Sequence, residues 1–242
     1  MSYTIIPLLI GKMKNNKSNM TYFMNHDKEI WTAVVCWFVK AGRKNILIDS
    51  GAPPEVIEKY WHLPYQEIVP FEAALDTVRM TPDTVDMVIQ THLHFDHCGN
   101  TPKCRNAEII VQSSELAFAL DPHPLFYGSY PTSMLKGLNY REVDGDVEIV
   151  PGITVIHAPG HSPGCQAVSI ETERGLAVIS GFCSIRANFS PPTKIARIWP
   201  VLTPGVHTNS LEAFDSAKRI KEIADRIIPT HDMEDAIQSH IP

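Results

Sequence analysis

The stretch from residue 91 to 97 constrains this chain more than any other, because it places three histidines and an aspartate within six residues. It follows directly on an apolar segment that predicts a buried strand. Neutral imidazole and carboxylate are ligands that divalent metals such as zinc prefer. His92 and His94 lie two residues apart, so on an extended chain both side chains share a face and can bind one ion. Asp96 and His97 follow once the chain has turned and can face a second ion, so the stretch predicts a metal site.

Two further histidines lie in a context typical of metal ligands. His161 occupies the turn 158–164, which is rich in proline and glycine and separates two predicted strands. His231 directly follows the last predicted strand. Both lie at strand ends, where the sites of layered α/β folds gather. We therefore predict that both bind metal, and that the remaining histidines are ordinary core or surface residues.

Length and composition predict one globular domain that spans residues 1–242. The chain is 44% hydrophobic and 20% charged, which is enough apolar sequence for a sizeable core, and no linker or repeat divides it. A net charge of −6 without a long basic run argues against nucleic-acid binding. The sequence shows neither a signal peptide nor a membrane-spanning segment. We therefore expect a cytoplasmic protein that acts on a small molecule, with no membrane partner.

The five cysteines favour a reducing compartment. Their number is odd and none form a CxxC pair, so a disulfide framework is not expected. Cys36 and Cys165 lie in apolar, strand-like segments and are predicted to be small buried hydrophobic residues.

The apolar pattern predicts an α/β fold of two packed sheets with helices outside. Strands are predicted at 31–39, 45–48, 85–89, 108–112, 147–150, 153–156, 166–171, 176–180 and 226–228, and helices at 55–60, 113–120 and 209–224. The segments 122–140 and 190–204 look like insertions that either wall a substrate pocket or form ordinary surface loops. The segment 13–24 is predicted to be a mobile loop or a dimer arm, which leaves a homodimer open.

The order HxHxDH, a lone histidine in a PGH turn and a final histidine resembles the metallo-β-lactamase superfamily. The likeness covers nearly the whole chain after about residue 30 and is closest to the N-acyl-homoserine-lactone lactonase branch, above all at 91–100, 107–112 and 145–164. It implies an αβ/βα four-layer sandwich of two mixed sheets. It also implies a hydrolase that opens a small ester or lactone by attack of a metal-bound hydroxide.

The resemblance further implies two divalent metals, zinc above all, with iron and manganese as alternatives. The implied ligands of the first metal are His92, His94 and His161, and those of the second are Asp96, His97 and His231. Asp96 would also act as the catalytic acid and base. Asp49 matches an aspartate that orients a ligand, although a plain turn residue explains it equally well.

The chain departs from the family pattern where an aspartate normally bridges the two metals. That position reads as Phe182, which cannot bind a metal, and a tyrosine that assists lactone opening aligns near Ile185. Cys183 is a candidate substitute, because a thiolate is a good zinc ligand. A buried free cysteine beside an altered second site is the alternative.

Three other functions stay open on the sequence alone. A thioesterase like glyoxalase II or another hydrolase of the superfamily would use the same ligands. A β-lactam hydrolase is disfavoured because no signal peptide is found. A protein of a different class, which binds metal without hydrolysis because Phe182 fills the reaction space, is disfavoured by the retained Asp96.

Overall fold

Each half of the chain folds into one β-sheet. The computed structural model describes residues 2–62 and 64–242. The first half contains strands β1 (Ile5–Asn16), β2 (Glu29–Ala41), β3 (Lys44–Ile48), β4 (Tyr65–Glu67), β5 (Met87–Ile89), β6 (Glu108–Gln112) and β7 (Tyr140–Val143). The second half contains β8 (Val147–Val150), β9 (Ile153–His157), β10 (Gln166–Thr172), β11 (Gly175–Ile179) and β12 (Arg226–Ile228).

The helices are short except for one near the end of the chain. They are α1 (Pro54–Trp61), α2 (Phe71–Asp76), α3 (Phe95–Cys98), α4 (Ser113–Leu120), α5 (Thr132–Leu135), α6 (Arg186–Phe189), α7 (Thr193–Ala196), α8 (Ser210–Ile223) and α9 (Met233–Ala236). Within the described residues, no helix has both the length and the apolar character needed to cross a membrane.

Both sheets are mixed. The seven-stranded sheet has the order β4-β1-β2-β3-β5-β6-β7, and its strands are parallel from β3 to β7. The five-stranded sheet has the order β12-β11-β10-β9-β8, in which only β12 is parallel to its neighbour. The predicted architecture of two mixed sheets with helices outside is confirmed.

The two sheets pack face to face because their apolar residues alternate along each strand. In β5, Met87 and Ile89 face the cluster between the sheets, whereas Val88 faces the cluster beneath α2. The inner cluster also includes Val168 and Ile179 of the second sheet. Each such buried side chain contributes about 1.5–3 kcal/mol. Both halves share this core; the single domain over 1–242 stays a prediction, and Met1 and Leu63 lie outside the described residues.

Most predicted elements are confirmed, and the exceptions have local causes. The predicted strand 85–89 is shorter in the structure because Val85 ends a 3-10 turn over Pro82–Thr84. The apolar pattern did not predict the first strand, β1, because Pro7 and Gly11 interrupt it. The expectation that 13–24 is a mobile loop or dimer arm is therefore wrong for its beginning, which lies in β1. Asn209 caps α8 as predicted and accepts hydrogen bonds from the first turn.

Candidate metal centre

The predicted ligands come from three connecting segments that meet at one edge of the two sheets. His92 and His94 follow β5, and α3 begins immediately after them and carries Asp96 and His97. The other two histidines arrive from the second half of the chain: His161 lies between β9 and β10, and His231 follows β12. The structure brings all six into two groups of three donors, and within each group the donor atoms lie within 4.8 Å of one another.

The first group consists of three imidazole rings. The Nε2 atom of His92 lies 3.1 Å from Nδ1 of His94 and 3.1 Å from Nε2 of His161. All three rings are buried. This first group therefore presents three nitrogen atoms to one small volume, as a tetrahedral ion with one open position requires.

The second group combines two imidazoles with a carboxylate. The Nε2 atoms of His97 and His231 lie 3.3 Å apart. Asp96 Oδ2 lies 3.5 Å from the former and 3.7 Å from the latter. The Asp96 side chain remains 11% exposed, so it borders the pocket rather than the core.

Backbone carbonyls fix the rings of two ligands from behind. His161 Nδ1 lies 2.6 Å from the carbonyl oxygen of Val206, and His231 Nδ1 lies 2.9 Å from that of Ala33. Because a carbonyl oxygen only accepts, each Nδ1 carries the proton and each Nε2 keeps its lone pair. Both rings are thus held in the tautomer that a metal ligand needs.

Asp49 and Thr91 fix the tautomers of His97 and His92 in the same way. Asp49 Oδ2 accepts from His97 Nδ1 at 2.8 Å and from the Thr91 hydroxyl at 2.8 Å. Since that hydroxyl donates to Asp49, it accepts from His92 Nδ1, 3.1 Å away. The structure thus places Asp49 against a ligand, as the family resemblance implies.

The inward nitrogens fit a cation better than they fit each other. With the tautomers assigned above, two lone pairs face each other at 3.1 Å between His92 and His161, and two more at 3.3 Å between His97 and His231. Such pairs repel unless a positive charge lies between them. The residues of both groups therefore fit a divalent metal ion.

Electrostatics differ between the two groups. Burial lowers the pKa of His92 and His94 well below the usual value and lowers the pKa of His161 to about 4, so all three rings are neutral at pH 7. Burial also lowers the pKa of His231. At His97 burial acts in the same direction, but the Asp96 and Asp49 carboxylates outweigh it and raise the pKa.

Phe182 does not enter the site. Its ring is 1% exposed and packs in the apolar cluster beneath α8, with its centroid 5.9 Å from that of Phe189. The disfavoured alternative, in which Phe182 fills the reaction space, is therefore contradicted. The cause is local, because Gly181 adopts a φ of +78° and turns the next side chain towards the core.

Cys183 borders the site without joining either group of three donors. Its thiol lies 3.3 Å from the Asn19 carbonyl oxygen and 3.3 Å from Met20 Sδ, and it lines the same pocket as the ligands. Burial raises the pKa of the thiol, and the charge of Asp96 acts in the same direction. Its role as a ligand of the second metal stays a prediction.

A pocket of about 460 Å³ opens over both groups. Met13, Met20, Trp61 and Phe95 supply apolar surface, and the polar contribution comes from Asn15, Asn19 and Ser129. The first strand and the turn after it thus help to form the pocket, which sequence reasoning missed. In these two segments, methionines and asparagines are mixed without a clear periodicity, so the sequence pattern did not indicate a pocket wall.

The two predicted insertions behave differently. The segment 122–140 contributes Ser129 to the pocket, and the ring of Tyr130 packs edge-on against His94 at a centroid distance of 4.8 Å. The segment 190–204 instead packs onto the core, where Val201 joins the cluster beneath α8. The first insertion therefore walls the pocket, and the second follows the alternative of a loop that packs onto the core.

Glu115 is a site residue that sequence reasoning missed. It is fully buried in α4 and lies between the loops of the first group. The available signal was a lone acidic residue in the otherwise uncharged helix 113–120. Buried carboxylates are rare unless paired or hydrogen-bonded, so such a residue predicts a specific set of partners.

Comparisons with known proteins agree with this geometry. The sequence model of the metallo-beta-lactamase superfamily matches residues 30–231. The chain is 30% identical over 241 residues to the N-acyl homoserine lactonase AiiA of Bacillus thuringiensis subsp. kurstaki, covering 93% of this chain and 91% of that protein.

Two solved structures are also similar. One is a mutant of B. thuringiensis AiiA with N-decanoyl-L-homoserine bound at its active site: TM-score 0.79, 25% identity, 97% of this chain and 95% of that chain covered. The other is an N-acyl homoserine lactone hydrolase with the product N-hexanoyl-L-homoserine bound at its catalytic metal centre: TM-score 0.78, 26% identity and the same coverage.

Proposed function

The chain belongs to the metallo-beta-lactamase superfamily, and from that premise we propose that it is a metal-dependent hydrolase that opens N-acyl-homoserine lactones or related small esters. The observation that carries this proposal is the pair of three-donor groups at the floor of one pocket. In each group, lone pairs converge on a volume that fits a cation. The pocket above them leaves room for a substrate carbonyl.

The relatives support the substrate class. The similar curated proteins are named N-acyl homoserine lactonases, and two similar structures hold N-acyl-homoserine products. In this chain, the pocket offers apolar surface from Met13, Met20, Trp61 and Phe95, which suits an acyl chain. Its three polar side chains suit the amide and the lactone.

Two divalent ions would be held by the first group and the second group, respectively. Such ions lower the pKa of a water molecule to about 7 and polarise a carbonyl oxygen. We propose zinc at both groups, since imidazole with carboxylate is a common zinc ligand set. Iron and manganese are the alternatives, and metal analysis of the purified protein distinguishes them.

Asp96 is the residue we propose as catalytic acid and base. Its carboxylate borders the pocket, with Oδ2 3.5 Å from Nε2 of His97 and 3.7 Å from Nε2 of His231. From there it would take a proton from the attacking water and return it to the leaving alkoxide. Position 185 holds an isoleucine, which cannot share this task. Its side chain packs with Met20 and Cys183.

We also propose Cys183 as an additional ligand of the second metal. It lines the pocket, and the charge of the Asp96 carboxylate, which belongs to the second group, acts on its thiol. Metal contact deprotonates a thiol, so the buried neutral thiol and a bound thiolate are both consistent with this position.

We also propose a cytoplasmic location, because the cysteines favour a reducing compartment. All five are free and buried, which fits a compartment where thiols stay reduced.

The decisive experiment loads metal-free protein with zinc, manganese or iron and assays each form on lactones and thioesters. We expect two zinc ions per chain and hydrolysis of N-acyl-homoserine lactones with a kcat/KM of about 10⁴ M⁻¹s⁻¹ or more. A thioester of the glyoxalase II type should react far more slowly. The double variant His92→Ala/His94→Ala controls for contaminating activity. Fully metallated protein that opens no lactone would refute the proposed substrate.

A further inference from the structure

A single buried carboxylate connects the two loops that build the first group. Glu115 Oε1 accepts the Leu93 N–H at 2.9 Å and the Tyr130 hydroxyl at 3.1 Å. Glu115 Oε2 accepts the Ser162 hydroxyl at 2.6 Å and the Gly164 N–H at 3.1 Å. Two bonds to each oxygen use the full accepting capacity of a carboxylate. The side chain is fully buried, so no water competes for these donors.

The bonded residues lie next to the ligands themselves. Leu93 separates His92 from His94, and Ser162 directly follows His161. The two loops are far apart in the chain, yet His92 Nε2 and His161 Nε2 lie only 3.1 Å from each other. Glu115 therefore holds together two loops whose spacing decides whether one ion can contact all three rings.

The close approach of α4 to the turn is built into the sequence. A side chain at Gly164 would place its Cβ 2.2 Å from the Glu115 backbone nitrogen, which no real contact permits. Only glycine lets the helix carry the carboxylate so close to the turn. Position 164 and Glu115 thus form one structural unit.

Tyr130 extends this unit to the insertion 122–140. Its hydroxyl donates to Glu115, and its ring packs edge-on against His94, 4.8 Å between centroids. Within the described residues, His94 Nε2 has no hydrogen-bond partner. The Tyr130 ring packs behind His94, whereas an oxygen atom lies behind each of the other imidazole rings. The carboxylate therefore also determines where the ring behind His94 lies.

From these contacts we propose that Glu115 is a positioning residue for metal binding, and that it sets the spacing of the His92–His94 loop and the His161 turn at the first group. The inference rests on the proposed function and deepens it. Glu115 does not contact the ligand nitrogens and acts only through the backbone and side chains that it binds. Its loss should therefore weaken the first metal selectively and leave the second unchanged.

The variant Glu115→Gln tests this with little change in shape. An amide has one accepting oxygen and one NH₂ group, and either orientation turns the NH₂ group towards a backbone N–H, that of Leu93 or that of Gly164. Hydroxyls can rotate to accept, but a backbone N–H cannot. One of the two loops is therefore released whichever way the amide settles.

The measurement is a zinc titration of the full-length protein against a competing chelator. Anomalous scattering from crystals at half-saturating zinc then assigns the occupancy of each group. We expect the first group to lose about 10- to 100-fold in affinity, the range typical of residues behind metal ligands. The second group should keep its affinity. Equal loss at both groups, or none at the first, would overturn the inference.

Asp235→Asn is the matched control, because Asp235 is also a buried carboxylate, bonded to Arg186 and Arg226 rather than to the metal loops. It should lower the melting temperature without changing the zinc affinity of the first group. If Glu115→Gln fails to fold, Ser162→Ala and Tyr130→Phe each remove one bond to Glu115. Each should weaken the first metal a few-fold, and wild-type affinity in both variants would overturn the inference.

These results stay separate from the test of the substrate. Protein that binds zinc at both groups but opens no lactone refutes the proposed substrate and leaves the role of Glu115 intact. Protein that opens lactones and keeps tight zinc at the first group in Glu115→Gln refutes the role of Glu115 alone.

Discussion

The first and second groups have the same number of donors but differ in what surrounds them. The first is built from neutral imidazoles whose pKa values are lowered by burial, and its two loops are bound to Glu115. The second contains the Asp96 carboxylate, and its His97 has a raised pKa because two carboxylates lie near it. One group is organised by packing and hydrogen bonds, and the other by charge.

The difference is consistent with the expectation that no aspartate bridges the two groups. Phe182 occupies the expected position and points into the core, and no donor is shared between the two groups of described residues. Each group therefore keeps its own three ligands. Changes at one group can reach the other through Asp49, which contacts both His97 and the Thr91 behind His92, and through the His92 and His97 rings, whose centroids lie 4.1 Å apart.

The largest effect is expected from Asp96→Asn. The amide cannot take a proton from water, so kcat should fall by about 10²- to 10⁴-fold. Steady-state kinetics with the zinc-loaded protein measures this. Asp146→Asn is the control, because that exposed aspartate pairs with Arg219 and should leave kcat unchanged. An unaltered kcat in Asp96→Asn would show that the second group contributes no acid or base.

A smaller and more selective effect is expected from Asp49→Asn. Asparagine tolerates the left-handed backbone at this position, where φ is +57°, so the loop should keep its shape. The amide nitrogen would face His97 Nδ1 and favour the wrong tautomer, and the second metal should lose about 10- to 100-fold in affinity. Chelator competition measures the loss. A larger loss at the first group would contradict the division between the two groups.

A smaller effect is expected from Cys183→Ser. It should lower the affinity for the second metal by roughly tenfold or less. Serine keeps the size of the side chain but is a poorer zinc ligand than a thiolate. Metal content after dialysis should fall towards one ion per chain while the first group stays filled. Unchanged stoichiometry and affinity would exclude Cys183 as a ligand.

The smallest effect is a difference in how the two metals respond to acid. A proton competes with the metal for an imidazole, and a lower pKa moves that competition to lower pH. The pKa of His161 is about 4, whereas that of His97 is raised above its usual value. As pH falls from 8 towards 5, the second metal should leave first. Release monitored with a zinc indicator tests the order, and simultaneous release or the reverse order would contradict it.

The fold and most members of the two donor groups could be predicted because their signals are contiguous. Alternation of apolar residues marks the strands, and His92, His94 and His97 lie within one short stretch. The role of Glu115 could not be predicted, since its partner Ser162 lies 47 residues away and only the packed fold brings them together. The direction of the Phe182 side chain likewise depends on the backbone conformation of Gly181, which the residue type alone does not determine.

The position of His231 has a consequence for biosynthesis. It follows β12, which pairs with β11 near the end of the chain, and its partner His97 lies 134 residues earlier. Closing so long a segment costs chain entropy that must be offset by contacts formed when the last strand docks. A nascent chain on the ribosome can thus assemble the first group once Val206, which binds His161, has emerged. The second group has to await the synthesis of residue 231, so its donors come together later than those of the first group.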